Sequence, residues 1–279
     1  MSGARGSGVA HDGAEGATHN VRLTVAYDGT DFCGWQRQKS ERTVQQVVEE
    51  ALQRMLGESI RVHAAGRTDS GVHAVGQVIN FRTTTTSIPA DRWAVALNSY
   101  LPADVQAVRG GVAPASFDSR RSALARGYRY QILPSGVRLP HLRRYCYATR
   151  SALDVGYLNR VAAQLVGERD FAVFAAAGDA SASTVRRVLS ASFFPDAPYL
   201  VFRIVATSFL WRMVRSIVGT LIELAEQKAP PGDVRDLIAR RQRELVGQTA
   251  PARGLFLERV WYPPDRWEGS TATGPSSAS

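Results

Sequence analysis

Apolar and polar positions alternate early in the chain, with Val21, Leu23, Val25 and Tyr27 in every second place, and this period predicts a strand with one buried face. A run rich in turn residues, YDGTDFCGWQRQ, follows it. The period then lengthens: Val44, Val47, Val48, Ala51, Leu52, Met55 and Leu56 recur at the spacing of an amphipathic helix. Thr43 and Gln46 have the spacing of a capping box, and Gly57 offers the C-terminal stop. Residues 60–64 and 75–82 read as strands flanking the loop GRTDSGVHA. A short helix over 90–99, a strand near Val105 and a strand over 128–133 come next.

The second half repeats this vocabulary. Asp154 is placed to cap a helix carrying Leu158, Val161, Ala162 and Leu165, which stops at Gly167. Strands are expected over 184–194 and 199–206. Ser208 would cap a long helix with Leu210, Met213, Val214, Ile217, Val218, Leu221 and Ala225 inward; a helix over 233–243 and a strand over 254–262 close the pattern. Helices between hairpin-like strand pairs predict an α+β fold with a mainly antiparallel sheet rather than a doubly wound one. Two similar halves are expected, 20–115 with the loop and 116–266, while 1–19 and 267–279 read as disordered arms.

Composition narrows the class. A chain of 279 residues, 44% hydrophobic, can bury a substantial core. It has no apolar run long enough for a membrane helix and no signal-like N-terminal segment, so no membrane partner and a cytoplasmic location are expected. Cys33 and Cys146 are the only cysteines, too few for a disulfide framework or a zinc site. The net charge of +9 points to an anionic partner. Arginine content alone says little, because base composition can set it, but its distribution is uneven. Arg120, Arg121, Arg126, Arg129, Arg138, Arg143, Arg144 and Arg150 fall between 119 and 150 without one acid, interleaved with Tyr128, Tyr130, Tyr145 and Tyr147. Aromatic faces beside guanidiniums suit looped or single-stranded RNA; a solvated basic face is the plainer alternative.

The loop from Gly66 to Ala74 holds one carboxylate, Asp69, between two glycines, with Arg67 before it and His73 after. An Asp so held can be a nucleophile, a base or a metal ligand, or can merely close an Asx turn. His63 and His73 have no spacing that marks them as catalytic. The loop has neither a His pair at i, i+4 nor a second carboxylate, which disfavours metal catalysis.

GRTDSGVHA resembles the GRTDAGVHA signature of the bacterial tRNA pseudouridine synthase A family. The likeness extends to YDGTDFCGWQRQ with TVQQVVEEAL, to NSYLP at 98–102, RGYRYQI at 126–132, FLWRMVRSIVG at 209–219 and APARGLFLERVWY at 250–262, in the family's order. Ser70 departs from the usual alanine. The resemblance implies two RNP-like α+β halves sharing a sheet, with the active site in the cleft between them. It further implies a homodimer without cofactor that converts uridines 38–40 of the tRNA anticodon stem-loop to pseudouridine. By that likeness Asp69 is the essential aspartate, Arg67 helps displace the target base, Tyr128 is the active-site tyrosine and Arg215 pairs with Asp69. Arg120, Arg121, Arg126, Arg143 and Arg144 are then expected to bind RNA. Rival readings are a synthase acting on another RNA, a non-catalytic RNA binder and a hydrolase; a binder has no use for a carboxylate that repels phosphate.

Overall fold

The computed structural model describes residues 18–263 apart from 231, 232, 242, 244 and 245. The arm up to residue 17 and the tail predicted at 267–279 lie outside the described residues; at the arm's end, His19 already opens the first strand. That strand, β1 (His19–Tyr27), is followed by α1 (Val44–Leu56), β2 (His63–Ala64), β3 (His73–Thr83), α2 (Trp93–Asn98) and β4 (Val105–Ala113). Then come β5 (Ala125–Leu133), β6 (Tyr147–Ala148), α3 (Val155–Ala162), β7 (Gly167–Asp170), β8 (Val185–Asp196) and β9 (Tyr199–Ala206). The helices α4 (Met213–Glu226) and α5 (Asp233–Arg240) lead to β10 (Leu255–Trp261). The architecture is α+β, with one large mixed sheet in the order β4-β1-β3-β10-β5-β9-β8-β7.

Local chemistry explains the main elements. Thr43 caps α1 by accepting from the Gln46 N–H at 3.4 Å, and Gly57, with φ of 72°, ends it. The capping box is half formed, because the Gln46 side chain turns instead to Glu50. Along α1, Val44, Val48, Ala51 and Leu52 are buried, as their spacing predicts. Glu49 is buried too: it takes Arg37 at 2.9 Å and accepts the Val62 N–H at 3.1 Å. That bond removes Val62 from any ladder, which is why the strand expected over 60–64 shrinks to the two residues of β2. Asp154 caps α3 as expected, accepting from the Tyr157 N–H at 3.0 Å. The helix, however, ends at Ala162 and passes through a 3-10 turn, and Gly167 begins the unanticipated strand β7. Ser208 caps nothing. The chain over 208–212 is irregular and α4 starts only after Arg212, whose φ of 60° breaks the helical path. The last helix stops at Arg240 rather than at residue 243.

The centre of the sheet positions the site. The strands β1, β3 and β4 meet those of the second half through β10, which runs parallel to β3 over only two residue pairs and antiparallel to β5. Further along, the same edge of β3 pairs with β2, so the sheet forks where β2 and β10 part. The connection from β2 to β3, residues 65–72, carries the GRTDSGV stretch and sits at that fork. One apolar cluster runs through both ends of the sheet, with Leu23, Ile79, Tyr130, Ile132, Phe202, Ile204 and Leu257 all fully buried. No helix among the described residues is long and apolar enough to cross a membrane.

Candidate active site

Each turn of the loop is fixed by a hydrogen bond. Gln77 donates to the Gly66 carbonyl at 2.7 Å. The Thr68 hydroxyl pairs with that of Tyr27 at 2.7 Å, and the Thr68 carbonyl accepts from the Trp35 N–H at 3.0 Å. Val72 N–H donates to the Asp69 carbonyl at 3.1 Å, closing the turn around the carboxylate. Two glycines are obligatory: Gly71 has φ of 75°, and a Cβ on Gly34, itself at φ of 83°, would lie 2.7 Å from the Thr68 oxygen. At the far end, His73 is buried, stacked on Phe256 with ring centres 4.6 Å apart. Its Nδ1 accepts from the Gly29 N–H at 3.0 Å, so its Nε2 donates to the Arg144 carbonyl at 3.1 Å. Burial holds His73 below the usual histidine range, in its neutral form, even with Asp28 3.1 Å away. His73 is thus a structural tie, while His63 is exposed.

The Asp69 carboxylate projects from this frame with about a fifth of its side chain exposed, and it meets two donors. Arg215 on α4 donates from a terminal nitrogen to Oδ2 at 3.1 Å, and the indole of Trp211 donates to Oδ1 at 3.0 Å. Arg215 is itself held, since its Nε donates to the Ala250 carbonyl at 2.8 Å while the Ala250 N–H returns to the Arg215 carbonyl at 3.1 Å. Tyr128 on β5 shares a sheet face with Ile204 and Leu257, its ladder partners. A Cβ on Gly66 would stand 3.7 Å from the Tyr128 hydroxyl, and Phe209 meets the Tyr128 ring edge-on at 5.1 Å. Burial, with Tyr27 and Asp69 adding to it, raises the Tyr128 hydroxyl far above the usual tyrosine range, so it is protonated at neutral pH. Arg67 is exposed and has no hydrogen bond or ion pair among the described residues. Asp69, Arg215 and Tyr128 therefore converge, with Arg67 at the rim.

The arginines of 119–150 separate into two kinds. Arg120, Arg121, Arg143 and Arg144 are exposed. Arg126, expected at the RNA surface, is buried instead and spends its donors on backbone. It donates to the Ala65 carbonyl at 3.0 and 3.2 Å, to Thr207 at 2.8 Å and to Arg120 at 2.6 Å. It is a brace under the loop, tying Ala65 to the segment that leads into α4. Tyr130 is likewise no stacking surface: it is fully buried and its hydroxyl donates to the Pro251 carbonyl at 2.8 Å. The exposed pairs nonetheless bracket the loop, Arg120 and Arg121 through the Arg126 brace and Arg143 and Arg144 through the His73 tie.

Trp211 carried no role in the sequence reading, although it lies four residues before Arg215, the spacing that puts two side chains on one side. Among the described residues no three His, Cys, Asp or Glu side chains are placed to hold a metal ion.

A mixed α+β sheet with one arginine-held carboxylate at its central fork, rimmed by exposed arginines, defines a class of site suited to nucleic acid. The comparisons with known proteins place it more narrowly: the tRNA pseudouridine synthase model matches residues 23–116 and 161–263, and the chain belongs to that family. It is 43% identical over 251 residues to tRNA pseudouridine synthase A of Treponema denticola, covering 88% of this chain and 94% of the relative. The enzyme of that name from Halalkalibacterium halodurans is 43% identical over 256 residues, 91% of this chain and 97% of the relative. That from Moorella thermoacetica is 45% identical over 244 residues, 87% and 99% of the two chains.

Proposed function

We propose that this protein isomerises uridine to pseudouridine in tRNA, at positions 38–40 of the anticodon stem-loop, with Asp69 as the nucleophile. The observation that carries the reading is the single carboxylate held by Arg215 and Trp211 beside the protonated hydroxyl of Tyr128. The reaction breaks the N1–C1′ bond, turns the uracil over and joins C5 to C1′. The C5 hydrogen leaves to solvent and N1 takes up a proton, so no atom is gained or lost and no electron changes hands. Arg215 and Trp211 each donate one hydrogen bond to the carboxylate and so fix the direction in which it faces a substrate. Tyr128, kept neutral, lines the pocket as a ring and a hydroxyl donor rather than as a phenolate base.

A uridine stacked in the stem must first be flipped out, at a cost of a few kcal/mol. Arg67, exposed and unpaired among the described residues, would fill the gap and bind phosphate. The exposed pairs Arg120, Arg121 and Arg143, Arg144 would grip the backbone on either side. We take the working unit to be a cytoplasmic homodimer, on the strength of the family resemblance.

Tritium release from tRNA carrying [5-³H]uridine tests the reading directly. Wild-type protein should release label that maps to the anticodon arm, and Asp69→Asn should release none while binding tRNA within a few-fold of wild type. Release by Asp69→Asn would remove Asp69 from the chemistry. Release confined to another RNA would move the substrate but keep the reaction.

A further inference from the structure

We infer that Trp211 is a positioning residue for Asp69 and, through the exposed part of its ring, the surface on which a base of the substrate RNA stacks beside the target uridine. The inference rests on the reading that Asp69 carries the reaction.

Both hydrogen-bonding partners of the carboxylate come from one short segment. Arg215 takes Oδ2 and Trp211 takes Oδ1, one donor to each oxygen among the described residues. A carboxylate with one donor cannot be fixed against rotation about its Cβ–Cγ bond; with two, on different oxygens, its plane is set. The Trp211 backbone is anchored in turn, its N–H donating to Asp179 Oδ2 and its carbonyl accepting from the Ala176 N–H at 3.0 Å. Arg212 then adopts φ of 60° and ψ of 7°, a conformation rarely taken by a residue with a side chain. Such strain persists where the surroundings impose it. The kink lets the indole, outside α4, and the guanidinium of Arg215, inside its first turn, reach the same carboxylate.

Positioning alone does not account for the ring's surroundings. A tryptophan used only as a prop is covered by its neighbours, as Trp35 and Trp93 are here at 2% and 1% exposure, whereas Trp211 is 45% exposed. It is the most exposed of the described tryptophans, and Arg212 lies over its ring at 4.8 Å. A large aromatic face next to a guanidinium, touching the reacting carboxylate, has the chemistry of a nucleobase stack with an adjoining phosphate contact. The flipped uridine leaves unstacked neighbours that such a face can receive.

Three variants and two readouts separate the roles. Trp211→Phe keeps a ring and loses the N–H; kcat should fall about tenfold, the worth of a hydrogen bond to a charged group, with tRNA affinity within twofold or so. Trp211→Leu removes the ring as well, and affinity should drop by about tenfold more. Adding unmodified anticodon stem-loop RNA should quench tryptophan emission in wild type and in Asp69→Asn, and that quench should vanish in Trp211→Phe. An undiminished quench in Trp211→Phe, or a kcat equal to wild type, overturns the inference. Because the quench needs no turnover, activity surviving in Asp69→Asn would sink the reading of the reaction and leave the stacking result to be judged separately.

Discussion

At the scale of single residues, identical side chains in one basic stretch do opposite things: Arg120, Arg121, Arg143 and Arg144 lie in exposed turns, whereas Arg126 lies on β5 in the middle of the sheet. Arg126 shares its strand face with Tyr128 and Tyr130, and all three point inward. The alternation was legible over 128–133, but β5 begins at Ala125, and those extra residues put Arg126 on the buried side. Charge density could not reveal this, because a buried arginine and an exposed one count alike. Arg126→Met should leave the carbonyls of Ala65, Thr207 and Arg120 without their donor. At roughly 1–3 kcal/mol for an unsatisfied buried group, a loss of about 3 kcal/mol is expected in urea unfolding. Arg143→Ala, on the surface, should stay within about 0.5 kcal/mol of wild type. Arg215 was legible as a partner of Asp69 only through the resemblance, and its second bond, to Ala250, not at all. That second bond argues against replacement by lysine, which has no fork to serve both acceptors. Arg215→Lys should lower kcat about 100-fold with tRNA affinity within a few-fold, read from single-turnover rates beside filter binding.

At the scale of elements, long periodic segments such as α1, β1 and β9 could be read from the chain, and the elements that frame the site were the hardest to delimit. The strand β3 starts at His73, inside the loop motif, because its first two residues pair with β10, some 180 positions away in sequence. The helix α4 starts after an irregular 208–212 segment because Trp211 and Arg212 are shaped by Asp179, Ala176 and Asp69 rather than by helix propensity. The His73 tie has a measurable signature. Its neutral form is the one that accepts from Gly29, and burial lowers its proton affinity below the ordinary value of 6.5. The unfolded chain therefore binds the extra proton, and stability is complete above about pH 6.5 and declines as pH falls below it. Asp28 adjoins it and is also held below its usual range, so its own contribution is lost only at more acidic pH. Urea midpoints should be level near pH 7 to 8 and decline toward pH 5, and His73→Asn should flatten that decline even if it lowers the whole curve. An equal decline in the variant would place the proton elsewhere.

At the scale of the whole molecule, the decisive feature is that the last strand fills the middle of the sheet. A closing strand was legible in GLFLERVWY, but its neighbours were not, since a seam of two residue pairs with β3 leaves no periodic trace in either segment. With β10 as the seam, both ends of the sheet should melt together. Leu257→Ala, at a fully buried position, should cost about 2–5 kcal/mol in a single unfolding transition, whereas two separated calorimetric peaks would mean that the ends fold independently. The same geometry sets the electrostatics. The Arg126 brace holds Arg120 and Arg121 near Ala65, and the His73 tie holds Arg143 and Arg144 at the other end of the loop, so two exposed basic clusters flank one carboxylate. Replacing those four arginines with alanine removes up to four phosphate contacts while sparing the brace. Each contact contributes about 0.7–0.9 to the slope of log affinity against log salt. The fourfold variant should therefore bind tRNA more weakly at low salt, with a slope shallower by up to about 3–4, and should approach wild-type affinity as salt rises. A parallel displacement of the two lines would mean that these arginines shape the protein without touching phosphate, and an unchanged line would send the tRNA to another face.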